Sequence, residues 1–437
     1  MKKILFSIGF ILVLLQTTFG QNQKDIDKYV PELSQTYKYL HQHPELSFLE
    51  KKTAAYLAEK MRSYGFEVTE NFGGTGIVAI LKNGKGPKIL IRTDMDALPI
   101  LEKTGLPYAS TVKQVDIEGI ERPVMHACGH DMHMTVWLGT AQYLANHKNQ
   151  WKGTLMMIGQ PAEERGGGSD AMLKAGLYQK FFVPDYALAL HVRSNKPAGT
   201  ISYCPGYAMA NVDMAQIKFT GQGGHGAYPH TTIDPIAMSA QFISNLQNIV
   251  SREIAPIDPA VITVGSIHGG TKGNIIPSEV NMELTIRSYK DEVRNHLIEA
   301  IQRKANATAA SFGVPKDKYP VLKLKDTYTP ALYNDPDLVD KIIKGFNKYF
   351  GQKDILKTEP TMGGEDFARY GKTPEKVPVF MFFLSAVNQN KYKQFQKEGK
   401  ILPSLHSDSV VLDPEPTIKT GVAAMSNAVI NLSNNTK

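Results

Sequence analysis

The sequence predicts an α/β fold, with a mostly parallel-sheet main domain into which a ferredoxin-like α+β domain of βαββαβ order is inserted. Three observations carry this. Short apolar runs without alternation, such as GIVAIL (76 to 81), YALALHV (186 to 192) and VPVFMFFL (377 to 384), are interleaved with helical periodicity, as in strands covered on both faces by helices. A middle stretch instead alternates like a half-exposed strand. Third, carboxylates and imidazoles recur just after the apolar runs, at the strand ends where an open α/β sheet binds its ligands.

Met1-Lys2-Lys3, the apolar ILFSIGFILVLL and the small residues Thr18 and Gly20 form the three-part pattern of a secretory signal, too short to span a bilayer comfortably. Cleavage is expected after Gly20, which makes residues 1–20 a signal peptide. The mature chain of about 417 residues is then exported, periplasmic or secreted, with no membrane attachment once the signal is gone. Removal of Lys2 and Lys3 lowers the formal charge from +7 to +5, and lysines such as those in QNKYKQFQKEGK (389 to 400) are dispersed among polar residues. No nucleic-acid partner is expected.

A chain of this length divides into two domains. Residues 21–210 open with helical periodicity over 25 to 64 (Ile26, Tyr29, Leu33; Ala54, Leu57, Met61) and continue through strands at 76 to 81, 88 to 96, 154 to 160 and 186 to 192. The inserted domain, 211–325, begins with the alternating NVDMAQIKFTG. Asp234-Pro235 then opens a helix as cap and first-turn proline. Strands at 260 to 267 and 279 to 288, a helix near 291 to 312 and VLKLK (321 to 325) complete the βαββαβ order. Residues 326–437 return to the first domain.

The segment Met125–His133, MHACGHDMH, is the densest ligand chemistry in the chain. Cys128 and His130, with Gly129 between them, can turn a thiolate and an imidazole toward one point, and both suit zinc or a similar divalent ion. A disulfide to Cys204 is the alternative that export permits, but it adds little to so large a core. Asp94 and Asp96 close the strand 88 to 93, Glu163 and Glu164 follow the strand ending near Gln160, and His191 closes YALALHV. Adjacent side chains in an extended segment point in opposite directions, so one of the two glutamates can bind metal while the other serves as general base. Near the C-terminus, Leu405-His406-Ser407 adds an imidazole, which taken alone reads as an ordinary loop histidine.

RTDMDALPI (92 to 100), MHACGHDMH, GQPAEE (159 to 164), ALHV (189 to 192), GQGGHGAYPH (221 to 230), GNIIP (273 to 277), GGEDFARY (363 to 370) and SLHS (404 to 407) occur in this order. With them the chain resembles the M20 metallopeptidase family, in its amidohydrolase branch of indole-acetyl-amino-acid hydrolases, hippurate hydrolases and N-acyl-amino-acid deacylases. The resemblance implies that Cys128, His130, Glu164, His191 and His406 bind two divalent ions, manganese or zinc. It implies that Glu163 is the general base and that Asp96, rather than Asp94, orients the metal shell. His225, Asn274 and Arg287 match positions that approach the substrate in relatives, His225 often from a partner subunit, and a homodimer through the inserted domain follows from the same likeness. GGEDFARY has a second reading as a plain helix start.

The activity so implied is hydrolysis of the amide of a small N-acyl amino acid. A dipeptidase or carboxypeptidase acting on a dipeptide-like substrate is the rival of the same class; a free amine on the substrate would need a fixed counter-charge. An exported metal- or ligand-binding protein without turnover is the rival of another class. Glu163 speaks against it, since sequestration needs no spare carboxylate beside a ligand.

Overall fold

The computed structural model describes residues 25–325 and 328–434; the signal sequence expected at 1–20 lies outside the described residues. In chain order the elements begin with helices α1 (Val30–Gln42) and α2 (Lys51–Ser63) and strands β1 (Glu67–Thr69), β2 (Ile77–Asn83) and β3 (Lys88–Asp94). A small hairpin, β4 (Lys113–Val115) and β5 (Glu121–Pro123), precedes α3 (His130–Asn146), β6 (Gly153–Gln160), β7 (Tyr186–Pro197) and β8 (Ile201–Tyr203). Next come β9 (Asp213–Thr220), α4 (Pro235–Arg252), β10 (Ala260–His268), β11 (Glu279–Ser288), α5 (Asp291–Ser311) and β12 (Lys323–Leu324). The chain closes with α6 (Pro336–Phe350), β13 (Ile355–Lys357), β14 (Val379–Val387) and α7 (Pro414–Asn434).

Two compact units result. One holds the chain up to Gly206, Tyr333–Glu359 and the chain from Arg369 onward; the other holds Tyr207–Leu332 and Pro360–Ala368. The second unit thus takes in a short later segment that the sequence reading leaves in the main domain. Its backbone explains why: Ala210 N–H donates to Gly363 O at 2.8 Å and Thr361 N–H to Ala208 O at 3.0 Å.

The first unit is built on an eight-stranded sheet of order β1-β2-β6-β3-β7-β14-β8-β13. Its centre is parallel: β3 pairs in parallel with β6 and β7, and β7 with β14. β14 is buried at every position and β6 at all but one, which is why these runs show no alternation. α3 is buried over nearly its whole length, because the sheet, α1 and α7 enclose it. Close approach of the helices depends on Gly139, where a Cβ would meet Leu33 Cδ1 and Val422 Cγ2 at 2.6 Å each. The helical periodicity read over 25 to 64 is carried by two helices, since residues 43–50 between them dock on the strand end, with Leu46 bridged to Ala97.

In the second unit a four-stranded sheet of order β10-β11-β9-β12 is antiparallel throughout and packs against α4 and α5. β9 is buried at every second residue, and Asp234 caps α4 by accepting from Ile236 N–H at 2.8 Å. VLKLK contributes only the two residues of β12. Among the described residues, no helix is long and apolar enough to cross a membrane.

Candidate metal centre

Five segments of the first unit deliver the site: RTDMDALP after β3, GQPAEE after β6, His191 within β7, MHACGH at the start of α3, and the SLHS loop. After β3, Leu98 and Met125 exchange backbone hydrogen bonds at 3.0 Å, zipping RTDMDALP to the start of MHACGH. Gly129 then turns the chain into α3 with φ +80°, where a Cβ would lie 2.5 Å from Val192 Cγ2, so this bend admits glycine alone. The SLHS loop docks beside it through His406 N–H to Ala127 O at 2.9 Å, with His406 itself in the left-handed region at φ 65°. Between β6 and the next helix, Ala162 is likewise left-handed at φ 48°, immediately before Glu163. Two non-glycine residues in this costly region at one site mark backbone held in place by its surroundings.

The side chains converge. Cys128 Sγ lies 3.5 Å from His191 Nε2 and 3.2 Å from His406 Nε2. Glu164 Oε1 stands 3.4 Å from His406 Nε2 and 3.8 Å from His130 Nε2, and Glu163 Oε2 is 4.0 Å from the same His130 nitrogen. Glu164 therefore belongs with both Cys128–His406 and His130, whereas Glu163 is not grouped with the thiol. Each glutamate side chain is 11% exposed, while His406 is 54% exposed and forms the open side.

Asp96 holds this loop from beneath. Its Oδ1 accepts Glu163 N–H and its Oδ2 Glu164 N–H, both at 3.1 Å; Ser47 Oγ donates to Oδ2 at 2.6 Å, and His130 Nδ1–H donates to the Asp96 carbonyl at 2.7 Å. Burial works against the Asp96 charge, but the bonds from His130 and Ser47 outweigh it and keep the carboxyl below the usual carboxylate range. Asp94 has a different task. It accepts from Arg92 at 2.6 Å and from His133 Nδ1 at 2.8 Å, and His133 Nε2 in turn accepts Val192 N–H at 2.8 Å.

The histidines of MHACGHDMH thus part ways. His130 faces the centre, and His133 is used up in clamping α3 to β7. His126 is buried, with both ring nitrogens unbonded, and burial pushes it down to about 4. Asp131 belongs to a deeper pair: His41 Nδ1 bonds its Oδ2 at 2.7 Å while His41 Nε2 bonds Glu102 at 3.1 Å. Burial opposes the His41 charge, yet the two carboxylates raise it to about 9.

The donor set fits divalent ions. His130 and His191 each give their Nδ1–H to a backbone carbonyl (Asp96 O; Val192 O at 2.7 Å), which leaves both Nε2 lone pairs turned to the centre. His130 Nε2 and Glu164 Oε1 are both buried without a hydrogen-bond partner. Burial and the Glu164 charge hold the Cys128 thiol well above its ordinary value, a penalty that a bound cation reverses. Both cysteines are free, which removes the disulfide reading.

A model of peptidase family M20/M25/M40 matches residues 90–398. The chain belongs to this family. It is 35% identical over 416 residues to thermostable carboxypeptidase 1 of Saccharolobus solfataricus, covering 94% of this chain and 98% of that one. Against an N-acetylcysteine deacetylase of Bacillus subtilis it is 36% identical over 349 residues, covering 79% and 86%. The crystal structure of a Bacillus subtilis protein described as a dinuclear metal-binding peptidase of the M20 family superposes with a TM-score of 0.75 at 30% identity, over 94% of this chain and 99% of that one. This M20 protein is a metal-dependent amide hydrolase, which sets aside a binding protein without turnover.

In the second unit, His225 pairs with Ile275 across a two-residue ladder, and Gly226 N–H donates to Asn274 O at 2.8 Å, so His225 and Asn274 share one exposed corner. Arg287, on β11, is half-buried and donates to Thr285 Oγ1 at 3.2 Å and Met362 O at 3.1 Å. GGEDFARY starts a 3₁₀ segment, Asp366–Gly371, with the Glu365 carboxylate accepting Phe367 N–H at 2.9 Å, as its helix-start reading expects.

Sequence reasoning passed over Ser47 and Glu50. Glu50, fully buried, accepts the N–H groups of Phe48 at 2.9 Å and Ala162 at 2.8 Å and the hydroxyl of Thr75. A signal was present, since HPELSFLE puts polar residues between two amphipathic helices where a solvent loop needs no such pattern.

Proposed function

We propose that this protein is an exported hydrolase that cleaves the amide between an acyl group and an amino acid with a free carboxylate. Two divalent ions, manganese or zinc, would be held by Cys128, His130, Glu164, His191 and His406. When bound, such ions supply Lewis acidity toward the amide carbonyl and toward water. Glu163 takes the proton of the attacking water and passes it to the leaving amine nitrogen, the two halves of general base and general acid catalysis. Asp96 keeps Glu163 and Glu164 in register through their peptide N–H groups. His225, Asn274 and Arg287 contact the substrate, Arg287 through its carboxylate, where a guanidinium fork suits two oxygens. The inserted unit serves as the homodimer contact.

One observation carries the reading: of two adjacent glutamates pinned by a single aspartate, Glu164 lies with the thiol and imidazoles, and Glu163 stands outside the thiol group. The test is Glu163→Gln. The variant retains its metals by elemental analysis, while kcat on N-acyl amino acids falls by about 10²–10⁴. Near-normal turnover in metal-replete variant removes Glu163 from the role. The carboxypeptidase relative supports a second reading, a peptidase acting on dipeptide-like substrates, and the same assay with dipeptides separates the two.

A further inference from the structure

Beside the metal centre the first unit carries a cavity of about 300 Å³ that shares Glu164 and Ser47 with it, at the small end of ligand pockets. Its walls are Leu46, Ala97, Leu98 and Pro99 on one side and Ile117, from the β4–β5 turn, on the other. Ile117 is 53% exposed, an apolar side chain left in the open at the cavity edge.

Of the charged lining, Glu164 belongs to the metal centre and the hairpin carboxylates are paired internally. Asp116 accepts the N–H groups of Glu118 at 3.0 Å and Ile120 at 2.9 Å and the Nε–H of Arg122 at 3.1 Å. Glu118 accepts from Arg165 at 2.7 Å. These contacts fix the turn and hold each of the two hairpin carboxylates against its own arginine. A substrate ammonium here would have to compete with a guanidinium for either acid. An uncharged chain meets apolar walls instead.

From this we infer that the slot between the β4–β5 turn and Leu98 holds the acyl half of the substrate, and that it selects apolar acyl chains longer than acetyl. The inference rests on the proposed cleavage of N-acyl amino acids and adds which acyl class is preferred. Each methylene buried in such a slot raises kcat/KM by up to about fourfold until the space is filled. Hexanoyl should therefore exceed acetyl by one to two orders of magnitude.

The experiment measures kcat/KM of the metal-loaded full chain on N-acetyl, N-butyryl, N-hexanoyl and N-benzoyl forms of one amino acid, and on dipeptides ending in it. Binding of the same series to the Glu163→Gln protein is measured by calorimetry. Hexanoyl is expected to be preferred in both. Ile117→Asp, at an exposed turn, lowers the hexanoyl-to-acetyl ratio at least tenfold, whereas Ile120→Asp on the same turn leaves it at the wild-type value. Equal kcat/KM across the acyl series, or an unchanged ratio in Ile117→Asp, overturns the slot while leaving the amidohydrolase reading standing. If dipeptides are cleaved and no N-acyl amino acid is, the proposed function falls first and the slot with it.

Discussion

Replacing Glu50 probes how firmly the catalytic loop is held. Alanine strips the acceptor from Ala162 N–H, which is buried, and from Phe48 N–H, which is partly so, and each of these residues sits at positive φ. A buried donor left without a partner costs about 1–3 kcal/mol, so Glu50→Ala should lose roughly 2–4 kcal/mol of stability. Without the tether, one of the contacts that hold Ala162 left-handed is lost, and a displacement of about 1 Å at Glu163 costs on the order of 10² in kcat. Glutamine behaves differently. Its Oε1 serves both N–H groups and its amide donates to Thr75, so the loop stays in place.

The pH dependence then separates charge from shape. Burial, with the Asp96 charge near it, lifts the Glu50 carboxyl from 4.5 to about 7. The native state thus binds this proton more tightly than the unfolded chain, and wild type loses stability as pH rises from about 4.5 through 7, by about 2–3 kcal/mol between pH 5 and 8. Glu50→Gln lacks that loss, so it gains on wild type over the same interval. Urea melts of chelator-treated protein at both pH values, with kcat of the loaded enzyme, test the argument. A Glu50→Ala protein of wild-type stability and turnover, or a pH-independent gap between wild type and Glu50→Gln, would refute it.

Two further outcomes are expected. Cys128 resists a thiol reagent in the metal-loaded protein and becomes reactive after chelation, since coordination masks the thiolate; peptide mapping after labelling shows it, and equal labelling in both states removes Cys128 from the ligand set. Arg287→Ala lowers kcat/KM by roughly 2–4 kcal/mol on substrates with a free carboxylate, the cost of a charge-assisted pair left without its partner, and has little effect on the matched amides; equal losses on both make the arginine structural.

Most of the cluster around Cys128 was legible because Cys128, His130, Glu163, Glu164 and His191 lie in short motifs rich in ligand chemistry, and a run such as GTLMMIGQ announces both its strand and the loop after it; His406 was legible only through the family resemblance. The supports were not. Glu50 and Ala162 are 112 residues apart in the chain and His41 and Asp131 are 90 apart, so no window holds both partners. His133 misleads in the opposite direction, because a motif crowded with imidazoles does not say which ring turns inward; only the pairing of Asp94 and Val192 N–H with its two nitrogens decides. The edge strand β13 escaped notice because three residues are too few for a pattern.

His406 meets Cys128 across 278 residues of chain. Closing so long a span costs more chain entropy than closing a short one, which makes this contact slow to form. A ribosome adds about 5–20 residues per second, so the loop carrying His406 emerges many seconds after the strand ends it will face. Until then Cys128, His130 and Glu164 form an unfinished cup, and a chain broken off before SLHS never closes it. Under the proposed ligand set, hydrolytic competence arrives together with completion of the fold, and a truncated copy is expected to be inactive.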